Sequence, residues 1–284
     1  QFSIFFGENA FHDSKLRNLR YYDHMKRVIF NRKGGVGKST ITCNLAAVAA
    51  SKGKTVLVVD LDPQANTTSY LGHSGKDNVV GIAEFMESTI SRNYREFTSE
   101  DYVRKTSFDN LWLISASPSL VDLEAKLEAK HKIYKLRDFL NNLHQEFEEI
   151  YIDTPPALNF FTLSALIAAD RCILPYDCDV FARDAMVDLI EELEEIVDDH
   201  NPELEIEGVV VNQFQARAKL PQQAVDELVE ANFKLLRPFI SSSVKVKESH
   251  ASHTPLAFLD PKHKITLEFI ELYENMSRKK KVKK

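Results

Sequence analysis

Residues 28–40 read VIFNRKGGVGKST. Val28, Ile29 and Phe30 are the apolar, β-branched and aromatic run that a buried strand uses, and residues 41–50 continue in helix formers. Between them lies a glycine-rich turn. Gly34, Gly35 and Gly37 permit backbone angles that a Cβ forbids, so the N–H groups from Gly34 through Val36 to Lys38, Ser39 and Thr40 can converge on a phosphate at a helix N-terminus. In such a loop Lys38 reaches the terminal phosphates and the Ser39 hydroxyl is placed to ligate Mg²⁺.

Outward from this turn, two more strand ends carry acid. Residues 55–60 (TVLVVD) run into Asp60-Leu61-Asp62-Pro63-Gln64, and residues 149–153 (EIYID) end on Asp153 before Thr154-Pro155-Pro156. Ligands in open α/β sheets collect at the carboxyl ends of strands, which would bring these carboxylates beside the phosphates. Residues 111–115, 171–175, 205–212 and 235–240 read as further strands. Residues 121–130, 132–147, 182–198, 222–232, 243–252 and 265–276 read as helices, with shorter helical signals in 81–103. The expected architecture is a doubly wound, mostly parallel twisted sheet with helices on both faces.

Composition fits one such unit. The chain has 284 residues, 44% of them hydrophobic, enough for a sizeable core. No run of about 18 apolar residues marks a membrane span, and no leader with a basic start and apolar centre is present, so a soluble, cytoplasmic protein is expected. Cys43, Cys172 and Cys178 lack a metal-ligand spacing, and Cys43 and Cys172 read as small buried hydrophobes. Residues 1–24 precede Met25 as an N-terminal extension or leader, residues 25–277 form the domain, and 278–284 (RKKKVKK) are a basic tail. Net charge is −6, and because the tail carries six positive charges the preceding 277 residues hold −12. Any nucleic-acid contact must therefore be local. The tail itself fits either a solvated end or a nonspecific contact with DNA or an acidic partner.

The loop K-G-G-V-G-K-S resembles the deviant Walker A loop of the ParA/MinD family of P-loop ATPases, with Arg32 where the usual phosphate loop has glycine. The resemblance runs from Met25 to about Met276 and implies ATP and Mg²⁺ as cofactors, slow hydrolysis and an ATP-dependent sandwich homodimer. It implies that Lys33 crosses the dimer interface to the partner's nucleotide and acts in catalysis with Lys38. Asp62 would orient the attacking water, Asp60 would support the Mg²⁺ shell through water, and Asp153 would lie near the metal. The D-T-P-P turn would sense the γ-phosphate, and Asn212 would bond the adenine edge.

Residues 243–262 resemble the segment of chromosome- and plasmid-partition proteins that reads roughly V-R-L-S-E-A-P-S, then K-P-x-x-x-Y-D-P. This implies nonspecific DNA binding through Lys245 and Lys247, a ParB-like or equivalent adaptor, and association with the bacterial nucleoid in the ATP state. One departure is Ser241-Ser242, where those proteins have Pro-Arg. A membrane-cycling relative would end in a basic amphipathic helix, whereas Glu268, Glu271 and Glu274 oppose the stripe of Ile265, Phe269, Leu272 and Met276. That helix is expected to dock on the core. A relative carrying a metal cluster would need cysteines across the dimer, and these cysteines do not suit that.

Overall fold

The computed structural model describes residues 24–72, 80–91, 98–143, 145–178 and 182–277. The N-terminal extension, the segment after Gly72, part of the stretch before residue 103 and the basic tail lie wholly or partly outside these residues.

Eight strands form one sheet: β1 (Met25–Ile29), β2 (Val56–Asp60), β3 (Arg104–Lys105), β4 (Leu111–Ile114), β5 (Glu149–Asp153), β6 (Arg171–Asp177), β7 (Glu205–Asn212) and β8 (Leu235–Leu236), in the order β3-β4-β2-β5-β1-β6-β7-β8. Every pairing is parallel except β3 with β4. Helices α1 (Lys38–Ser51), α2 (Asn66–Tyr70), α3 (Ile82–Ser88), α4 (Leu120–Ala129), α5 (Lys135–Leu143), α6 (Phe160–Ala168), α7 (Ala182–Asp199), α8 (Lys219–Glu230), α9 (Val244–Ala251), α10 (Leu256–Leu259) and α11 (Lys264–Ser277) complete the fold.

The strands are buried on both faces, so their alternate side chains build two cores. Val28, Leu57, Val59, Ile150, Ile152, Leu174 and Val209 pack with side chains of α3 to α8. Ile29, Val56, Val58, Tyr151, Ile173 and Val210 pack with α1, α10 and α11. Helix α1 is buried along most of its length, and its alanines 46, 47, 49 and 50 let it lie between the sheet and the two C-terminal helices. A helix covered on two sides needs no polar face.

Several elements differ from the sequence reading: helices α6 and α10 are not expected from it, and α8 begins at Lys219 rather than at residue 222. The expected 132–147 helix is only Lys135–Leu143, with turns at residues 133–134 and 145–146 on either side. The 235–240 strand pairs only at Leu235–Leu236, although an isolated bridge joins Phe214 to Ser241. The antiparallel edge β3, two residues long, carries no apolar pattern from which it could be read.

At the end of the sheet away from the glycine loop, buried Arg27 bonds Glu149 Oε2 through Nη1 (3.0 Å) and Glu207 Oε2 through Nε (2.9 Å). Glu207 is the extra residue of a bulge where Cys172 pairs with Ile206 and Ile173 with Gly208. Gly208 has φ 147, and a Cβ there would stand 2.6 Å from the Lys234 carbonyl. Tyr151 and Tyr273 donate to the two Glu149 oxygens at 2.7 and 2.6 Å, so α11 is bonded into the buried ion cluster. Tyr273→Phe keeps the volume and removes one donor. Urea titration should show it less stable by about 1–3 kcal/mol, and unchanged stability would mean that α11 is not anchored by this bond.

Candidate functional site

The loop after β1 is already shaped. Gly35 and Gly37 take the left-handed region at φ 79 and 94, and Gly37 caps α1 with its carbonyl accepting from Ile41 N at 2.9 Å. A Cβ on Gly37 would meet Asn212 Nδ2 at 2.2 Å, so only glycine fits there. Lys38 is buried under the loop, its ammonium donating to the carbonyls of Asn31 (2.9 Å) and Lys33 (3.1 Å). Asn31 ties the loop to the sheet, its amide donating to Pro175 O at 2.7 Å and its Oδ1 accepting from Lys33 N at 2.9 Å. Val36 is buried, while Gly34 and Gly35 are exposed with no heavy atom within 4 Å of a built Cβ. Ser39 and Thr40 follow in the first turn of α1.

Parallel register sets Asp60 of β2 directly beside Asp153 of β5. Helix α2 leaves the Asp-x-Asp turn and holds both: Thr67 Oγ1 donates to Asp153 at 2.7 Å, and Thr68 donates to Asp60 from its backbone N (2.8 Å) and Oγ1 (2.7 Å). Asp60 also accepts from Asp62 N at 3.1 Å, and Asp62 accepts from Gln64 N at 2.9 Å. Asp60 therefore organises the turn from within, and Asp62 sits at its rim. Thr154 Oγ1 bonds Ile29 O at 2.8 Å, fixing the following turn to β1, whereas Pro156, Ala157 and Leu158 are exposed.

Electrostatics mark the same spot. Burial, then Asp153, pushes Asp60 up to about 8. Burial raises Asp153 to about 6 against the hydrogen bonds of Ser39 and Thr67. Burial also raises Asp62, opposed by the Gln64 backbone N–H and the Lys38 charge. Lys38 is itself lowered by burial, with Asp153 and Asp62 working the other way. The Lys38 charge thus acts on two of the three carboxylates, Asp62 and Asp153.

Not every sequence-predicted residue joins this cluster. Asn212, at the end of β7, uses its amide to donate to Val36 O at 2.9 Å, so it props the loop from beneath. Lys33 reaches both oxygens of Asp177 at 2.9 Å within the same chain. Lys245 is paired with Glu248 (3.1 Å) and Asp260 (3.6 Å), and Lys247 is exposed. Two residues apart on α9, these lysines point about 200° from one another, so one chain does not bring them to a common face.

Ser241 departs from the partition pattern for a visible reason. Its N–H and hydroxyl donate to Glu268 at 2.8 and 2.7 Å, and a proline could not supply the first bond. The apolar stripe of α11 is spent on the core, with Ile265, Phe269 and Leu272 buried. No helix among the described residues is long and apolar enough to cross a membrane. Sequence reasoning missed Thr67, Thr68, Asp177, Tyr70 and His250. Only the threonine pair carried a signal, two hydroxyls one helical turn beyond an Asp-x-Asp.

The buried pair makes stability pH-dependent. Asp60 and Asp153 have folded pKa values above the unfolded carboxylate value, so the fold holds protons that the unfolded chain releases. Their contribution is full below about pH 4 and is lost as pH rises through about 6 to 8. The nucleotide-free protein should melt at higher temperature at pH 6 than at pH 8, with a slope of at most about 1.4 kcal/mol per pH unit for one proton. Asp60→Asn should flatten that slope in differential scanning calorimetry. An unchanged slope would remove the pair as its source.

The chain is similar to known proteins over most of its length. Residues 25–206 match a family described as an AAA domain. The chain is 33% identical over 239 residues to the chromosome partitioning protein ParA of Myxococcus xanthus, covering 83% of this chain and 82% of that one. It is 30% identical over 252 residues to the sporulation initiation inhibitor protein Soj of Bacillus subtilis, covering 88% and 96%. Its fold is similar to a solved structure of cobyrinic acid a,c-diamide synthase from Mycobacterium smegmatis with bound ATP analogue and magnesium, with a TM-score of 0.76, 24% identity and coverage of 88% and 93%. The phosphate loop, the strand-end carboxylates and these relatives together make the chain a member of the ParA/MinD family of P-loop ATPases.

Proposed function

We propose that the chain is a nucleotide-switched ATPase of the partition type. ATP with Mg²⁺ assembles a homodimer through Lys33, the dimer binds DNA without sequence specificity, and hydrolysis stimulated by a ParB-like or equivalent adaptor resets it. The observation that carries this reading is the buried Lys38 under a glycine turn, with Asp60, Asp62 and Asp153 converging at neighbouring strand ends. The working site would be cytoplasmic, with the ATP form on the nucleoid.

The residues fit the metal. Their donors are hard oxygens, and the carboxylates outnumber the nearby cation. Among the described residues no group of three or more His, Cys, Asp or Glu side chains is set to hold a metal by itself. That suits Mg²⁺, which keeps waters and takes one or two carboxylates plus substrate phosphates. Ser39 and Asp153 would hold it, with Asp60 behind them. When bound it supplies charge neutralisation at the phosphate oxygens.

The chain's own groups do the rest. The N–H groups of residues 34–40 cradle phosphate oxygens, and Lys38 offsets their charge. Lys33 must exchange Asp177 for phosphate across the dimer. Asp62, at the rim of the turn, aligns water for in-line attack on the γ-phosphate. Asn212 holds Val36 in place beneath the loop and would leave its carbonyl oxygen for the base.

A second reading, a cargo-positioning ATPase acting on a membrane or protein surface, gains from the ion pairs that already occupy Lys245. Fluorescence anisotropy with random duplex DNA separates the two. An ATP-bound dimer that binds DNA at low salt and releases it steeply with added salt supports partition. One that ignores DNA supports the second reading.

Lys33→Ala should retain ATP binding and lose ATP-dependent dimerisation in light scattering. Lys38→Ala should weaken ATP binding itself by about 10- to 100-fold. Asp62→Ala should trap the ATP dimer while turnover falls by about 100-fold or more. A Lys33→Ala dimer like the parent's would remove the cross-subunit role, and an Asp62→Ala protein without bound ATP would remove the water-orienting one.

A further inference from the structure

Helix α9 carries Lys245 and Lys247, and its last turn is bonded to the first turn of α1. His250 Nε2 lies 3.0 Å from Thr40 Oγ1, in the first turn of α1. The same imidazole stacks on buried Tyr70, with ring centroids 3.8 Å apart and an interplanar angle of 18°. Tyr70 OH bonds Ser249 Oγ and accepts from Asn44 Nδ2 at 3.1 Å, and that amide also donates to Thr40 O at 2.8 Å. Ser249 Oγ passes on to Thr254 O at 2.7 Å, and Asn44 Oδ1 accepts from Leu256 N at 2.9 Å.

Short helix α2 divides its partners between two sites. Thr67 and Thr68 hold Asp153 and Asp60. Ser69 O bonds His253 Nδ1 at 2.6 Å, and Tyr70 meets His250 and Ser249. A buried polar network with its groups satisfied is rigid, and displacing one member leaves others unpaired. Thr40 is the member with a competing partner, because its amide and hydroxyl belong to the turn that would receive phosphate.

We propose that His250 is a positioning residue that couples the phosphate loop to α9. Its bond to Thr40 registers α9 against α1, so a phosphate that claims the Thr40 hydroxyl changes how firmly residues 244–251 are held. This rests on the nucleotide reading of the loop. The coupled helix bears both Lys245 and Lys247, and the link supplies a route by which nucleotide state alters it.

Amide hydrogen exchange followed by mass spectrometry tests the link without measuring turnover. Adding a slowly hydrolysed ATP analogue with Mg²⁺ should slow exchange in residues 33–40 and change exchange in 244–251 by about threefold or more in the parent. His250→Phe keeps the ring stack and removes the nitrogen. It should retain the response at 33–40 and reduce that at 244–251 to less than about twofold. His250→Gln, which returns a polar group within reach of Thr40, should recover part of it. An unresponsive α9 in a parent whose loop responds, or a His250→Phe α9 that responds like the parent's, would overturn the coupling. A parent loop that does not respond at all would overturn the nucleotide reading, and the coupling with it.

Discussion

Two carboxylates, Asp60 and Asp153, are set side by side in the dry interior at the ends of β2 and β5. Burial raises both pKa values, and hydrogen bonds from the surrounding structure offset that only in part. Thr67, Thr68 and the Asp62 amide donate to their oxygens, and the Lys38 charge acts on Asp153. These donors leave the cluster short of positive charge, as the upward pKa shifts record. Such a cluster costs folding free energy while it stands alone and recovers it when a cation arrives. Stability and ligand binding are therefore linked at one place.

The far end of the sheet resolves buried charge differently. There Arg27 lies between Glu149 and Glu207, and two tyrosine hydroxyls complete the Glu149 carboxylate. That cluster is closed to further partners by its own hydrogen bonds and joins β1, β5, β7 and α11. Between the two clusters run the apolar strands whose length and register decide where each carboxylate emerges. Pinning the far end holds β1 in register with its neighbours where the glycine loop leaves it.

Much of this was legible in the chain itself. Parallel strands buried on both faces are unbroken apolar runs, so TVLVVD and EIYID announced themselves together with the acids that end them. The glycine spacing fixed the turn and hence the helix that must follow. Other features had no one-dimensional trace. The pairing of Lys245 with Asp260 joins residues fifteen apart across a turn. Asp177 and His250 look ordinary in sequence, because their meaning comes from Lys33 and Thr40 arriving from 144 and 210 residues away. The two-residue strand β3 and the bulge at Glu207 are likewise products of neighbours, not of local pattern.

The central claim is that the carboxylate cluster and the glycine loop form one site completed by a metal-bound nucleoside triphosphate. Titration calorimetry of ATP into nucleotide-free protein, with and without Mg²⁺, tests it directly. The expected result is one ATP per chain with a micromolar Kd in Mg²⁺ and an affinity about tenfold or more weaker without it, because unshielded carboxylates repel the phosphates. Binding of equal strength without the metal, or none with it, would contradict the claim.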